Sequence, residues 1–204
     1  MLNTRFPRLV GDIGNPDSFN YPVIYQTIAS ATPATVVTDQ PIADVVREDI
    51  IHSAEKLQQQ GVSIITTSCG FLSPLQQSLA NAASVPVITS SLVLLPLLNN
   101  CFGSQHTGVL TFDAQKLSTA HLKQQQPQAV EGLRGHDSLR VTIENDLDTL
   151  NHAEAESQVC DAASRLMQQS PTLRAIILEC TNLSPYKHTL RAQFPVAVFD
   201  IVDA

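Results

Sequence analysis

A chain of 204 residues, 43% of them hydrophobic, is long enough to bury a substantial core and too apolar to stay disordered. Its formal charge of −7, with no Lys/Arg cluster to offset it, argues against nucleic acid as a partner. Residues 1–20 lack the apolar core of a signal peptide, and the apolar stretch Ser91–Leu98 is broken by Pro96 and too short to cross a bilayer. The expectation is a cytoplasmic protein without membrane contacts.

The elements are predicted in chain order as follows. Gly11-Asp-Ile-Gly-Asn-Pro16 is rich in turn formers. Thr35–Thr38 reads as a short strand. Ile42–Gln60 reads as a helix with Val45, Val46, Ile50 and Leu57 about an apolar stripe, stopped by Gly61. Val62–Thr67 is a strand with Cys69 at its end, and a helix follows with Ser73 as cap and Pro74 in its first turn. Val85–Thr89 is the next strand, and a boundary between halves falls near Ser90–Leu98. Strands are expected at Thr107–Thr111 and Arg140–Ile143, with surface turns at Gln124–Gln128 and Gly132–Asp137. Asn151–Gln169 is a helix packed through Ala155, Val159, Ala162, Ala163 and Leu166, ended by Ser170-Pro171. Ala175–Leu178 leads to Cys180, then to a helix with Ser184 as cap and Pro185 in its first turn. Val196–Ile201 is the last strand.

Short strands that are apolar on both faces and alternate with helices imply a parallel α/β sheet, with ligands gathering beyond the strands' carboxyl ends. One phrase is used twice. Cys69-Gly-Phe-Leu-Ser-Pro-Leu-Gln-Gln-Ser-Leu79 returns as Cys180-Thr-Asn-Leu-Ser-Pro-Tyr-Lys-His-Thr-Leu190, at an offset of 180 − 69 = 111 residues. The duplication predicts two related halves, residues 1–92 with 190–204 and residues 93–189, the final strand packing back onto the first half. Each half brings one thiol to the mouth of a shared cleft.

Four cysteines without a C-x-x-C pair, and six histidines without a metal-binding pattern, support neither a structural zinc nor metal catalysis. A lone cysteine after an apolar strand is most often a packing residue, and Cys101 and Cys160 are read that way. Two at equivalent places in a repeated motif point to chemistry. A thiol acts as a base only when ionised, and backbone N–H groups at a helix start favour the thiolate. The same N–H groups, with Thr66, Thr67, Ser68, Gly70, Thr181 and Asn182, suit a carboxylate. Inverting a carbon centre requires a proton to leave one face and another to arrive on the opposite face, a task two opposed bases perform without rearranging.

Leu178-Glu-Cys-Thr-Asn-Leu183, Thr66-Thr-Ser-Cys-Gly70, Gly11-Asp-Ile-Gly-Asn-Pro16 and Gly108-Val-Leu-Thr-Phe112 resemble motifs of the aspartate/glutamate/hydantoin racemase superfamily, which includes maleate isomerases and arylmalonate decarboxylases. The resemblance implies two pseudo-symmetric flavodoxin-like halves with the site between them, and proton transfer without a cofactor. Carried over by position, Cys69 and Cys180 are the acid/base pair. Asp12 and Asn15 border the substrate and Thr111 contacts it through a hydroxyl; Thr67, Ser68, Gly70, Thr181 and Asn182, read above from their hydroxyl and amide groups, would complete its pocket. The implied substrate is an amino acid, a related small carboxylate or a hydantoin. The alternatives are a maleate-isomerase-like reaction with a nucleophilic cysteine and an inactive small-acid-binding relative. His188 is read as a solvent-facing helix residue. Two departures stand out: Met1–Val10, with Arg5, Pro7 and Arg8, is a poor first strand, and the chain stops at Asp200–Ala204 without a closing helix. Exposed apolar sheet surface would favour a homodimer.

Overall fold

The computed structural model describes residues 1–204. It is an α/β structure with two parallel sheets. The smaller pairs β1 (Ile65–Thr66) with β2 (Val87–Ile88); the larger has the order β4-β3-β5-β6, from Ala129–Gly132, Thr107–Thr111, Ala175–Leu178 and Ala197–Phe199. Every residue of β3 and β5 is buried, as strands covered on both faces require.

The 111-residue offset of the sequence repeat is also the offset of the backbone. Ile65 opposes Val87 in the first sheet, and Ile176 opposes Val198 in the second; Thr66 with Ile88 corresponds to Ile177 with Phe199. The repeated phrase folds identically in both places. A 3₁₀ turn, Gly70–Leu75 or Thr181–Tyr186, runs into a seven-residue helix, α3 (Gln76–Ala82) or α7 (Lys187–Gln193). Pro74 and Pro185 lack the N–H that an α-helix would use, so regular α geometry starts two residues later in both copies. The helices preceding the two strands, α2 (Asp44–Gln59) and α6 (His152–Gln169), lie within a residue or two of their expected limits.

Several expectations are corrected. Thr35–Thr38 is not a strand: Thr32 caps a short helix, α1 (Pro33–Val36), through a reciprocal capping box with Thr35. Arg140–Ile143 lies in helix α5 (Ser138–Glu144), where Leu139 and Ile143, four apart, bury one face. The strand missed in that region is β4, whose Gly132 stands so close to Ala114 that a Cβ would come within 2.7 Å of its backbone nitrogen. Neither Ser73 nor Ser184 caps a helix; Ser73 donates to the His121 carbonyl, and Cys69 and Cys180 themselves occupy the cap positions of the 3₁₀ turns. The last strand, β6, hydrogen-bonds to β5 and so belongs to the larger sheet, rather than returning to the first half. Cys101 is exposed on helix α4 (Leu95–Phe102), whereas Cys160 is a core residue as expected.

The first half has no counterpart of β3 and β4. An irregular segment takes their place: Met1 and Asn3 exchange hydrogen bonds with Ile28 and Ala31, and Leu2 and Ile28 form an isolated parallel bridge. One hydrophobic core of 34 buried residues runs through both halves and includes Cys69 and Cys180.

Candidate active site

The two cysteine turns meet at their N-terminal ends. Thr181 Oγ1 donates to the carbonyl of Ser68 at 3.0 Å. In the reciprocal contact Gly70 lies against Glu179, where a Cβ would collide with both the carbonyl and Oε1 of the glutamate. Ser68 and Glu179 are equivalent by the 111-residue offset, as are Gly70 and Thr181. The residue before each cysteine therefore touches the residue after the other, the signature of a local two-fold axis. Glycine at position 70 follows from that close approach.

This packing brings both thiols to one cavity, where each is 8% exposed. Ser68, Arg8, Glu179 and Asn182 share its wall, and Leu2, Phe6 and Phe112 supply apolar cover. The cavity is tight, about 20 Å³, the room of roughly one water molecule. Burial pushes the Cys69 thiol up to about 12 and the Cys180 thiol well above its ordinary range, and the nearby Glu179 carboxylate adds to both. The opposing influence is also duplicated: the backbone N–H of Phe71 favours the Cys69 thiolate, and that of Asn182 the Cys180 thiolate. The sequence leads to the expectation that these amides favour the thiolates; burial outweighs them, and both thiols are raised.

The other predicted site residues divide into four groups. Ser68 and Asn182 line the cavity with the cysteines; Asn182 Oδ1 lies 3.5 Å from Cys180 Sγ. Asp12, fully buried, accepts from Asn182, from the Gly14 N–H at 2.6 Å and from Arg8 at 3.2 Å, so it reaches Cys180 through Asn182. Thr67, Thr111 and Asn15 are held by protein groups: Thr67 donates to the Thr89 carbonyl, Thr111 to Glu179, and Asn15 to the Arg8 carbonyl. Gly70 and Thr181 form the contact between turns. His188 is exposed, as expected.

Two residues join the site without having been expected there. Arg8 counts in the sequence only against a first strand, yet it is nearly buried, pairs with Asp12 and lines the cavity. Glu179 stands in the sequence only as the residue before Cys180. It does leave a signal: an acid ending an unbroken apolar run is expensive to bury and rarely placed there for packing.

Residues 21–204 match the Asp/Glu/hydantoin racemase domain. The chain belongs to that family. Its curated relatives include a dimethylsulfoniopropionate lyase of Durusdinium sp. clade D, 26% identical over 212 residues, covering 98% of this chain and 69% of the relative. Dimethylsulfoniopropionate lyase 6 of Emiliania huxleyi (strain CCMP1516) is 26% identical over 215 residues, covering 98% of this chain and 55% of its own length. Among solved structures, a mutant of arylmalonate decarboxylase in its sulfate-associated form superposes with a TM-score of 0.60 at 17% identity, over 88% of this chain and 77% of that one. Glutamate racemase from Thermus thermophilus, in complex with β-chloro-D-alanine, gives 0.55 at 22% identity, over 85% and 64%. At these identities the structures establish the common fold. No helix of the protein is long and apolar enough to cross a membrane.

Proposed function

We propose that this family member is a cofactor-independent racemase or epimerase of an amino acid or related small carboxylate, with Cys69 and Cys180 as the two bases. The observation that carries the reading is the presence of both thiols, at equivalent positions of a duplicated unit, on one cavity wall. One cysteine, as thiolate, removes the proton beside the carboxylate; the other, as thiol, delivers its proton to the opposite face. The backbone N–H groups of Phe71 and Asn182 stabilise negative charge on sulfur as each thiol gives up its proton. Arg8 supplies the cation for a substrate carboxylate. Leu2, Phe6 and Arg8 must shift to admit a substrate, since the cavity holds about one water.

A second reading shares the first step. The relatives named as dimethylsulfoniopropionate lyases align with 98% of the chain, and the cavity is mostly apolar. Proton abstraction beside a carboxylate, followed by loss of a β substituent, would make the protein a lyase; only one thiol would then be required as base.

A deuterium-exchange screen separates the two. Incubation in D₂O with amino acids, hydantoins and dimethylsulfoniopropionate is expected to label the carbon beside the carbonyl in at least one compound and to scramble its configuration. Release of dimethyl sulfide with no racemisation of any compound overturns the racemase reading in favour of the lyase.

A further inference from the structure

Directly before the two cysteines, the local two-fold symmetry of the turns is broken by a titratable group. Where the first copy has Ser68, the second has Glu179, a buried carboxylic acid. One of its oxygens is anchored: Oε2 accepts from Thr111 Oγ1 at 2.7 Å and from the Phe112 N–H at 3.4 Å. The other, Oε1, is buried and has no hydrogen-bond partner. Oε1 lies over Gly70, next to Cys69, while the residue itself directly precedes Cys180 and lines the same cavity as both thiols. A buried polar atom left unpaired costs free energy, and so calls for a role.

We infer that Glu179 shuttles a proton between the two thiols and so resets the pair between turnovers. The inference rests on the two-base reading above. After a turnover in one direction the thiol and the thiolate have exchanged places. Before the same enantiomer can react again, a proton must cross from one sulfur to the other inside a cavity with room for about one water. Glu179 can carry it in two balanced steps. The carboxylate takes the proton from the neutral thiol through Oε1, leaving a thiolate. The resulting acid then gives that proton to the opposite thiolate, becoming a carboxylate again. Its position near pH 7, raised from 4.5 by burial and drawn back by the Thr111 and Phe112 donors, suits a group that must both accept and release a proton. The other charged groups that bear on the thiols are Arg8 and Asp12, which pair with each other.

The test uses the full chain with Cys101→Ser and Cys160→Ala, so that the only thiols are Cys69 and Cys180. Two measurements are made on this background and on its Glu179→Gln derivative. The first, ultraviolet titration of thiolate, needs no substrate. Removing the carboxylate charge should move the thiolate titration, which burial places far above pH 8, to lower pH by about one unit, a tenfold rise in thiolate at any pH below its midpoint. Thr111→Val, which releases Oε2, should move the Glu179 midpoint in the pH dependence of unfolding to higher pH, and serves if Glu179→Gln does not fold. The second compares the first turnover with steady-state racemisation. In Glu179→Gln steady-state turnover should fall by about tenfold or more relative to the first turnover, whose own rate follows the altered thiolate fraction. A thiolate titration unchanged in Glu179→Gln overturns the shuttle, as does an unmoved Glu179 midpoint in Thr111→Val or a parallel fall of first and later turnovers. If the parent exchanges no substrate proton yet the titration shifts as stated, the racemase reading fails and the link between Glu179 and the thiols stands.

Discussion

The first half supports its cysteine turn on two short strands, the second on four, yet Gly70–Ala82 and Thr181–Gln193 repeat each other element for element. The turn does not depend on the width of the sheet beneath it. It depends on the contact with its twin, Thr181 on Ser68 and Gly70 on Glu179, and on a core that runs through both halves. Where the halves differ, the difference is chemical: an irregular N-terminal segment bearing Arg8 in one, a buried acid in the other.

The heaviest loss should come from the segment found in the first half alone. Arg8 and Asp12, four residues apart in this segment, form a nearly buried ion pair, and Asp12 also accepts from Asn182 of the second half. Arg8→Ala leaves the Asp12 charge uncompensated and should cost about 3 kcal/mol in urea unfolding. A loss below about 1 kcal/mol would mean that Gly14 and Asn182 compensate the Asp12 charge without Arg8.

Next in size is the effect of the acid that has no twin. The folded-state pKa of Glu179, about 7, lies above its ordinary 4.5, because burial favours the neutral form. The native state therefore holds the proton more tightly than the unfolded chain does. The stability this confers is complete below about pH 4.5 and is lost as the pH rises through 7, a difference of about 3 kcal/mol. Unfolding measured from pH 4.5 to 8 should show that decline, and Glu179→Gln should abolish it. A decline that survives the substitution assigns the pH dependence to another group.

Smaller losses are expected at the reciprocal contacts between the turns. At Gly70 an added Cβ meets backbone as well as the Glu179 side chain, so the neighbour cannot simply swing away. Gly70→Ala should cost about 2 kcal/mol by overpacking. Thr181→Val keeps the shape and removes one buried hydrogen bond, leaving the Ser68 carbonyl to find another donor, at about 1 kcal/mol. Equal costs at the two positions, again by urea unfolding, would mean that the local axis is more nearly symmetric than the side chains suggest.

Much of the molecule is readable from residues alone where a local pattern determines the outcome. The phrase beginning at Cys69 and Cys180 announces the duplication, because both turns are built from the same apolar and proline positions. Helices α2 and α6 are readable because their buried residues recur at helical spacing. Arg140–Ile143 misleads for the opposite reason: over four residues an apolar alternation and one helical turn look alike, and only the packing of Leu139 and Ile143 distinguishes them. Strand β4 is short and partly exposed, with Glu131 in its middle, so it carries little periodic signal. Within the site, the cysteines are accessible to sequence because they are repeated. Glu179 and Arg8 are less so, because each occurs once: Glu179 leaves only the signal of an acid ending an apolar run and meets Gly70 and Thr111 far away in the chain, while Arg8 gains its meaning from a cavity shared with Cys180 and Asn182.

The most direct test of paired thiols working across one cavity is enantiomer-specific isotope exchange in Cys69→Ser and Cys180→Ser, each assayed with both enantiomers of a compound that the unaltered protein racemises. Each variant should lose racemisation by about a thousandfold or more while retaining proton abstraction from one enantiomer, a different one in each case. Racemisation at the unaltered rate by either variant would contradict the pairing of the two thiols.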